Sequence, residues 1–175
     1  MEKMKSNEYY TPKSAWEDII PLLPKDKVYI EPFNNINEPT SLLSKKYLQE
    51  LGVNILDIPP YNDKTGENDF FNNDGKGWDI CIGNPPFTIK QKIVKKLKEL
   101  DKPFILILGT YTINTGYFKD LFGDKLQIVI PKKRINFNYY KDDKKSCCFD
   151  CIYFCYNLNL DKDLTEGLLE TGIVY

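Results

Sequence analysis

Between Trp78 and Leu100 the chain reads as a strand, a stiff turn and a helix in immediate succession. Trp78-Asp79-Ile80-Cys81-Ile82-Gly83 is a short apolar run of the kind buried inside a sheet. Asn84-Pro85-Pro86-Phe87 follows, and its two prolines fix φ and remove two backbone donors, so neither strand nor helix can run through it. Beyond it, Ile89, Ile93, Val94 and Leu97 recur at helical spacing, with five lysines between Lys90 and Lys98 turned outward as a solvated face. A buried strand that feeds a helix directly commits this part of the chain to an α/β arrangement.

The flanking segments continue the alternation. Thr11-Pro12 is expected to open a first helix, with Thr11 as N-cap, Pro12 at the first helical position and Trp16, Ile19, Ile20 and Leu23 on the apolar face. Val28-Tyr29-Ile30 reads as the first strand and ends at Glu31-Pro32-Phe33. A helix over 40–51 ends at Gly52, and Val53 to Ile58 is expected to be the second strand. Further strands are expected over Pro103 to Leu108, Leu126 to Ile130 and Cys147 to Tyr156, with a short helix over 115–122. The last two strands have no helix between them, which predicts an antiparallel final strand. The sum is one domain over residues 1–175, a three-layer α/β/α sandwich with a mostly parallel sheet.

Composition narrows the chemistry. The sequence has no histidine, which removes Ser-His and Cys-His catalysis and histidine metal sites. Net charge is −1, so any nucleic-acid surface must be local or supplied by a partner. Cys147, Cys151 and Cys155 share one strand face, where a spacing of ~13 Å between the last two is too long for one ion. Free thiols and no metal are expected. With no signal peptide evident and no apolar run near the ~18 residues of a membrane span, an intracellular location is expected, in cytoplasm or nucleus.

Polar candidates gather at strand carboxyl ends, where ligands of such sheets bind. Asn84 Oδ1 and the Pro85 carbonyl are paired acceptors held by a rigid turn with Pro86, and Phe87 offers a ring for stacking. Two acceptors on the hydrogens of a planar amine localise its lone pair, the requirement for alkylating that nitrogen, and no strong base is needed. Asp57 is placed to accept from ribose hydroxyls, Glu31 to hold an ammonium, and Asp69 with Phe70 to hold an adenine. Each also has an ordinary reading as a loop acid or cap. Tyr10, Thr11 and Pro12 would bring a ring and a helix start to a carboxylate. Lys132, Lys133 and Arg134, near Phe137, Tyr139 and Tyr140, form a basic patch suited to phosphates or bases, or simply to solvent.

Taken together, these residues resemble a class I S-adenosylmethionine-dependent methyltransferase of the N6-adenine type, near the compact phage and large-virus enzymes. The likeness covers nearly the whole chain. It rests on Asn84-Pro85-Pro86-Phe87 first, then on Tyr9 to Lys13, Glu31-Pro32-Phe33, Asp69-Phe70-Phe71 and Arg134-Ile135-Asn136-Phe137 in the same order. It implies a Rossmann-like seven-stranded sheet of order 3-2-1-4-5-7-6, with S-adenosyl-L-methionine over the first two strands, where Tyr10, Thr11, Pro12, Glu31, Pro32, Phe33, Asp57, Asp69, Phe70 and Asn84 would hold it. It also implies a target-base pocket at Asn84 to Phe87, a DNA or RNA substrate, and the host cytoplasm if the source is viral.

The chain departs from the pattern after Phe33. Asn34-Asn35-Ile36-Asn37-Glu38-Pro39 has no glycine, so an asparagine is expected to take the left-handed position, its side chain filling ligand space. There is also little room for a target-recognition domain, so a second subunit is a possible partner. Two other readings stay open: a catalytically silent scaffold of the same fold, and N5 methylation of a protein glutamine, whose amide is also planar.

Overall fold

A computed structural model describes residues 9–123, 125–131, 133–139, 149–160 and 169–172. The chain is an α/β protein built on a mixed sheet of six strands, with a separate two-stranded ribbon. In chain order the elements are β1 (Tyr9–Tyr10), α1 (Lys13–Ile19), β2 (Tyr29–Ile30), α2 (Leu42–Glu50), β3 (Ile80–Gly83), α3 (Lys90–Glu99), β4 (Phe104–Gly109), α4 (Phe118–Phe122), β5 (Leu126–Pro131), β6 (Asn138–Tyr139), β7 (Cys151–Tyr156) and β8 (Leu169–Gly172). The main sheet runs β2-β3-β4-β7-β5-β8, and β1 pairs with β6.

The sheet has two halves. β2, β3 and β4 are parallel, in register Ile30↔Cys81 and Ile82↔Ile105. β7 is antiparallel to both β4 and β5, and β8 is antiparallel to β5. Strand alternation then sorts the side chains. Ile80, Ile82, Ile105, Ile107, Cys151, Tyr153 and Cys155 join one core cluster with Trp16 and Ile19 of α1 and Leu48 of α2. Cys81, Phe104, Leu106, Leu108, Ile152 and Phe154 join a second with Ile93, Val94 and Leu97 of α3 and Phe122 of α4. Tyr153 crosses from sheet to helix, its hydroxyl donating to the Ala15 carbonyl at 2.5 Å. Cys151 and Cys155 are both buried, and burial pushes the Cys155 thiol far above its usual pKa. Cys147 and Cys148 lie outside the described residues.

Among the described residues the main sheet has six strands, and two expectations about its surroundings are corrected here. Val53 to Ile58 forms no strand and touches the sheet only through a parallel bridge, Tyr29↔Ile55. The cause is the brevity of β2: with two residues, only Tyr29 presents its backbone to that edge, its N–H on the Asn54 carbonyl and its carbonyl accepting from Leu56 N–H. Finally, Thr11 is not the cap of α1; Pro12 holds that position at φ −68° and ψ 151°, with no side-chain cap. Gly52 does end α2, at φ +83°, with its N–H on the Gln49 carbonyl and that of Val53 on the Leu48 carbonyl, a Schellman arrangement. No described helix is long and apolar enough to cross a membrane.

Candidate functional site

The carboxyl ends of β2 and β3 lie side by side, so Glu31 and Asn84, each the first residue past its strand, face one cleft. Its walls include Tyr10, Thr11, Phe33 and the whole Asn84-Pro85-Pro86-Phe87 turn, around about 550 Å³ of open space. A second cleft of about 830 Å³ adjoins it, lined by Asn34, Asn35, Asp69 and Phe70 among others. Phe33, Glu38 and Pro86 belong to both. Gly83 makes the junction possible. A Cβ there would lie 2.5 Å from the Phe33 ring and 2.9 Å from Glu31 Oε1, so any larger residue would push both into the cleft.

Asn84 is held from the amino terminus. Its Nδ2 donates to Thr11 Oγ1 at 3.0 Å, which fixes the amide orientation and leaves Oδ1 as a buried acceptor with no hydrogen-bond partner. β1 positions Thr11, because Tyr9↔Tyr139 and Tyr10↔Asn138 pin this segment to β6. Thr11 is 2 % exposed. A threonine before a proline looks like a helix start in sequence, and only the fold reveals that its hydroxyl serves a residue 73 positions away.

Glu31 is 2 % exposed, and burial pushes its carboxyl up to about 8, against smaller opposing pulls from Asn34, the Lys45 ammonium and the Phe33 backbone. Its Oε2 has no partner. Asn34, whose Nδ2 donates to the Glu31 carbonyl at 2.9 Å, also buries an unpartnered Oδ1. The described residues contain five such orphan side-chain atoms, and three of them are these oxygens. Buried acceptors without donors are costly, so the cleft is matched to a ligand that brings N–H groups.

The glycine-free loop solves its turn differently from expectation. No asparagine from 34 to 37 has positive φ. The segment is tied to Tyr61, through Ile36 N–H to the Tyr61 carbonyl and Tyr61 N–H to the Asn34 carbonyl, both at 2.8 Å, and then turns, with Glu38 N–H on the Asn35 carbonyl at 3.0 Å. Ser41 closes it, accepting from Asn35 N–H at 2.7 Å. The Asn34 side chain turns back on the Glu31 backbone, and the adjoining cleft stays open.

Other expected residues divide. Asp69 does act as a cap, accepting from Phe71 N–H at 3.0 Å, while still lining the second cleft with Phe70. The Phe70 ring stacks edge-on against Phe33, centroids 5.6 Å apart, and Pro32 lines the same cleft. Asp57 is not brought in: its side chain is 89 % exposed and paired with Lys45 at 2.5 Å, and that ammonium holds its carboxyl below the usual range. Pro12 lines neither cleft. The basic patch is also weaker than its sequence. Lys132 lies outside the described residues, Lys133 is exposed, and Arg134 Nε is paired with Asp150 at 2.6 Å. Phe137 is core, 2 % exposed. Around Phe87 the structure adds Phe149, in edge contact at 4.9 Å, and Tyr111 beyond it at 5.6 Å, neither of which the sequence singled out.

No group of three or more His, Cys, Asp or Glu side chains capable of holding a metal exists among the described residues. Comparison with protein-family models gives no match, and comparison with curated proteins gives none either. The functional argument therefore stands on the cleft itself.

Proposed function

We propose that this protein is an S-adenosylmethionine-dependent methyltransferase acting on the exocyclic amine of adenine in nucleic acid, on a Rossmann-like α/β/α fold of the methyltransferase kind. The observation that carries the reading is Asn84. Its amide nitrogen is occupied by Thr11, its buried carbonyl oxygen has no partner, and Pro85, whose carbonyl would be the second acceptor, lines the same cleft. An acceptor pair of this kind suits an N–H₂ group and little else. Taking its two hydrogens localises the nitrogen lone pair, and Phe87 provides a ring for an extruded base.

The adjoining cleft fits the methyl donor. Asn34 and Asp69 there offer acceptors to its amino and hydroxyl groups, Phe33 and Phe70 offer apolar walls, and the buried Glu31 carboxyl, which lines the Asn84 cleft on the other side of the shared Phe33, suits its ammonium. When bound, that group supplies an electrophilic methyl on a sulfonium. Transfer would form the N–C bond as the donor's S–C bond broke, and the surplus proton would leave the amine for water past the Asn84 and Pro85 oxygens. No histidine is needed at any point.

The deciding experiment offers labelled methyl donor with DNA, RNA and protein pools. Incorporation into adenine is expected, and Asn84→Ala is expected to reduce it at least 100-fold, the scale of losing a preorganised polar contact at the reacting centre. Undiminished incorporation by that variant rejects the mechanism. Incorporation into protein glutamine alone would replace adenine with an amide as substrate, and failure of the donor to bind would leave a silent scaffold.

A further inference from the structure

We propose that the lysine face of α3, with Tyr111 at its head, is the track on which an unpaired nucleic-acid strand lies while one of its bases enters the Asn84 cleft. This rests on the function proposed above and names how its substrate is held.

The helix begins three residues after Phe87 and carries five lysines and one glutamate. Ile93, Val94 and Leu97 are buried. At 3.6 residues per turn, Lys92, Lys95, Lys96 and Lys98 then occupy an arc of about 160° on the opposite side. None of these lysines joins an ion pair among the described residues; those pairs use Lys13, Lys45, Lys46, Lys76 and Arg134. Like charges three and four positions apart repel, and the helix itself carries no counter-charge except Glu99 at its far end, while Lys98 is turned aside, donating to the Asp120 carbonyl at 3.2 Å and lying 5.9 Å over the Tyr156 ring. On a chain of net charge −1 this is a local cationic stripe rather than a general surface property.

A strand leaving this stripe reaches the cleft over the head of the helix, where Lys90, outside the arc and on the side of the buried residues, meets the aromatic rings. Lys90 Nζ lies 3.4 Å from the Phe87 carbonyl oxygen and 3.4 Å from the Tyr111 hydroxyl, and 4.7 Å over the Tyr111 ring. Tyr111 is 41 % exposed and folds over Gly109, where a Cβ would collide with its ring. From the cleft wall outward the rings run Phe87, Phe149, Tyr111, each step an edge contact. An exposed ring beside ammonium groups is the pairing by which proteins hold single strands: bases stack, phosphates meet lysines. An acidic protein segment would use the lysines but give the ring no base to stack on.

Binding of full-length protein to fluorescent single-stranded DNA and RNA oligonucleotides, across a salt series and without methyl donor, tests this. The triple variant Lys92→Gln, Lys95→Gln, Lys96→Gln is expected to flatten the slope of log affinity on log salt by about 2, at ~0.7 per phosphate contact on a single strand. The matching Lys→Arg triple variant should keep the slope. Tyr111→Ala should weaken binding about five-fold or more on a normal strand and leave an abasic strand of equal length unaffected, which simple loss of folding would not do. An unchanged slope, an equal loss on the abasic strand, tighter binding of duplex, or equal binding of polyglutamate overturns the proposal. Strand binding without methyl transfer by the wild type would thus sink the proposed activity alone, and methyl transfer indifferent to these variants would sink the track alone.

Discussion

Asn84 can serve as an acceptor only if its amide points one way. The Thr11 hydroxyl sets that direction at 3.0 Å, so under the proposed function the threonine would act on the chemistry without touching a substrate. Thr11→Val is expected to lower kcat about ten-fold, the worth of one oriented hydrogen bond, with KM for the methyl donor nearly unchanged and with Thr11→Ser restoring the rate. Steady-state kinetics on the three proteins decide it, and an unaltered valine variant would remove Thr11 from the account. Glu31 governs a different variable. Its folded pKa of about 8 lies above the 4.5 of an unperturbed glutamate, so the folded state holds the extra proton between those values. Stability is therefore greatest below about pH 4.5 as far as this group is concerned, and falls as pH rises toward 8, by up to ~1.4 kcal/mol per unit. Thermal melts from pH 5 to 8.5 should show that decline in the wild type and a flatter profile in Glu31→Gln; parallel profiles would contradict it. A bound ammonium reverses the preference, so donor affinity should climb with pH up to about 8. The acid itself was visible in the sequence from its place at a strand end. Its burial was not, since that depends on Phe33 and Gly83 closing over it.

Elements were legible where a period ran long enough to be read. β7 alternates Cys151, Tyr153 and Cys155 to one core cluster and Ile152 and Phe154 to the other, as the residue pattern requires. α3 shows its buried Ile93, Val94 and Leu97 at helical spacing, and β3 ends where Asn84 begins. Pieces that depend on a distant partner were not legible. Val53 to Ile58 has strand composition but meets only a two-residue β2. β8 is Leu-Glu-Thr-Gly, with little apolar signal, and exists by pairing with β5. β1 is two residues that matter because β6 receives them. The end of β3 also carries a test at this scale. Gly83→Ala places a methyl group against the Phe33 ring at 2.5 Å and the Glu31 carboxyl at 2.9 Å. Donor affinity measured by calorimetry should fall at least ten-fold as Phe33 is displaced into the cleft, while the melting temperature drops only modestly; wild-type affinity would mean that Phe33 has somewhere else to go.

For the molecule as a whole, the motif order along the chain located the cleft, and the fold decided which motif residues reach it. Asn84 to Phe87, Glu31, Phe33, Asp69 and Phe70 converge, while Asp57 and Arg134 are drawn off by Lys45 and Asp150. Competition between ion pairs is a property of the assembled surface, and no linear pattern encodes it. A cleft matched to N–H donors should bind only in the folded state, so saturating methyl donor must stabilise the entire chain. At 100 times Kd the gain is ~2.7 kcal/mol, or roughly 5–10 °C in Tm at this size. Differential scanning fluorimetry with and without donor measures it, and a flat response would argue against occupancy of the cleft. The tie between Thr11 and Asn84 has a further consequence for folding order. Its partners are 73 residues apart, and β1 cannot dock until β6, with Asn138 and Tyr139, has been made and placed. Closing so long a loop is slow and comes after local structure. A chain still leaving the ribosome, or one caught half-folded, would carry the complete Asn-Pro-Pro-Phe turn with its amide free to rotate. Under the proposed function, competence would be withheld until β1 has met β6 and Thr11 has reached Asn84.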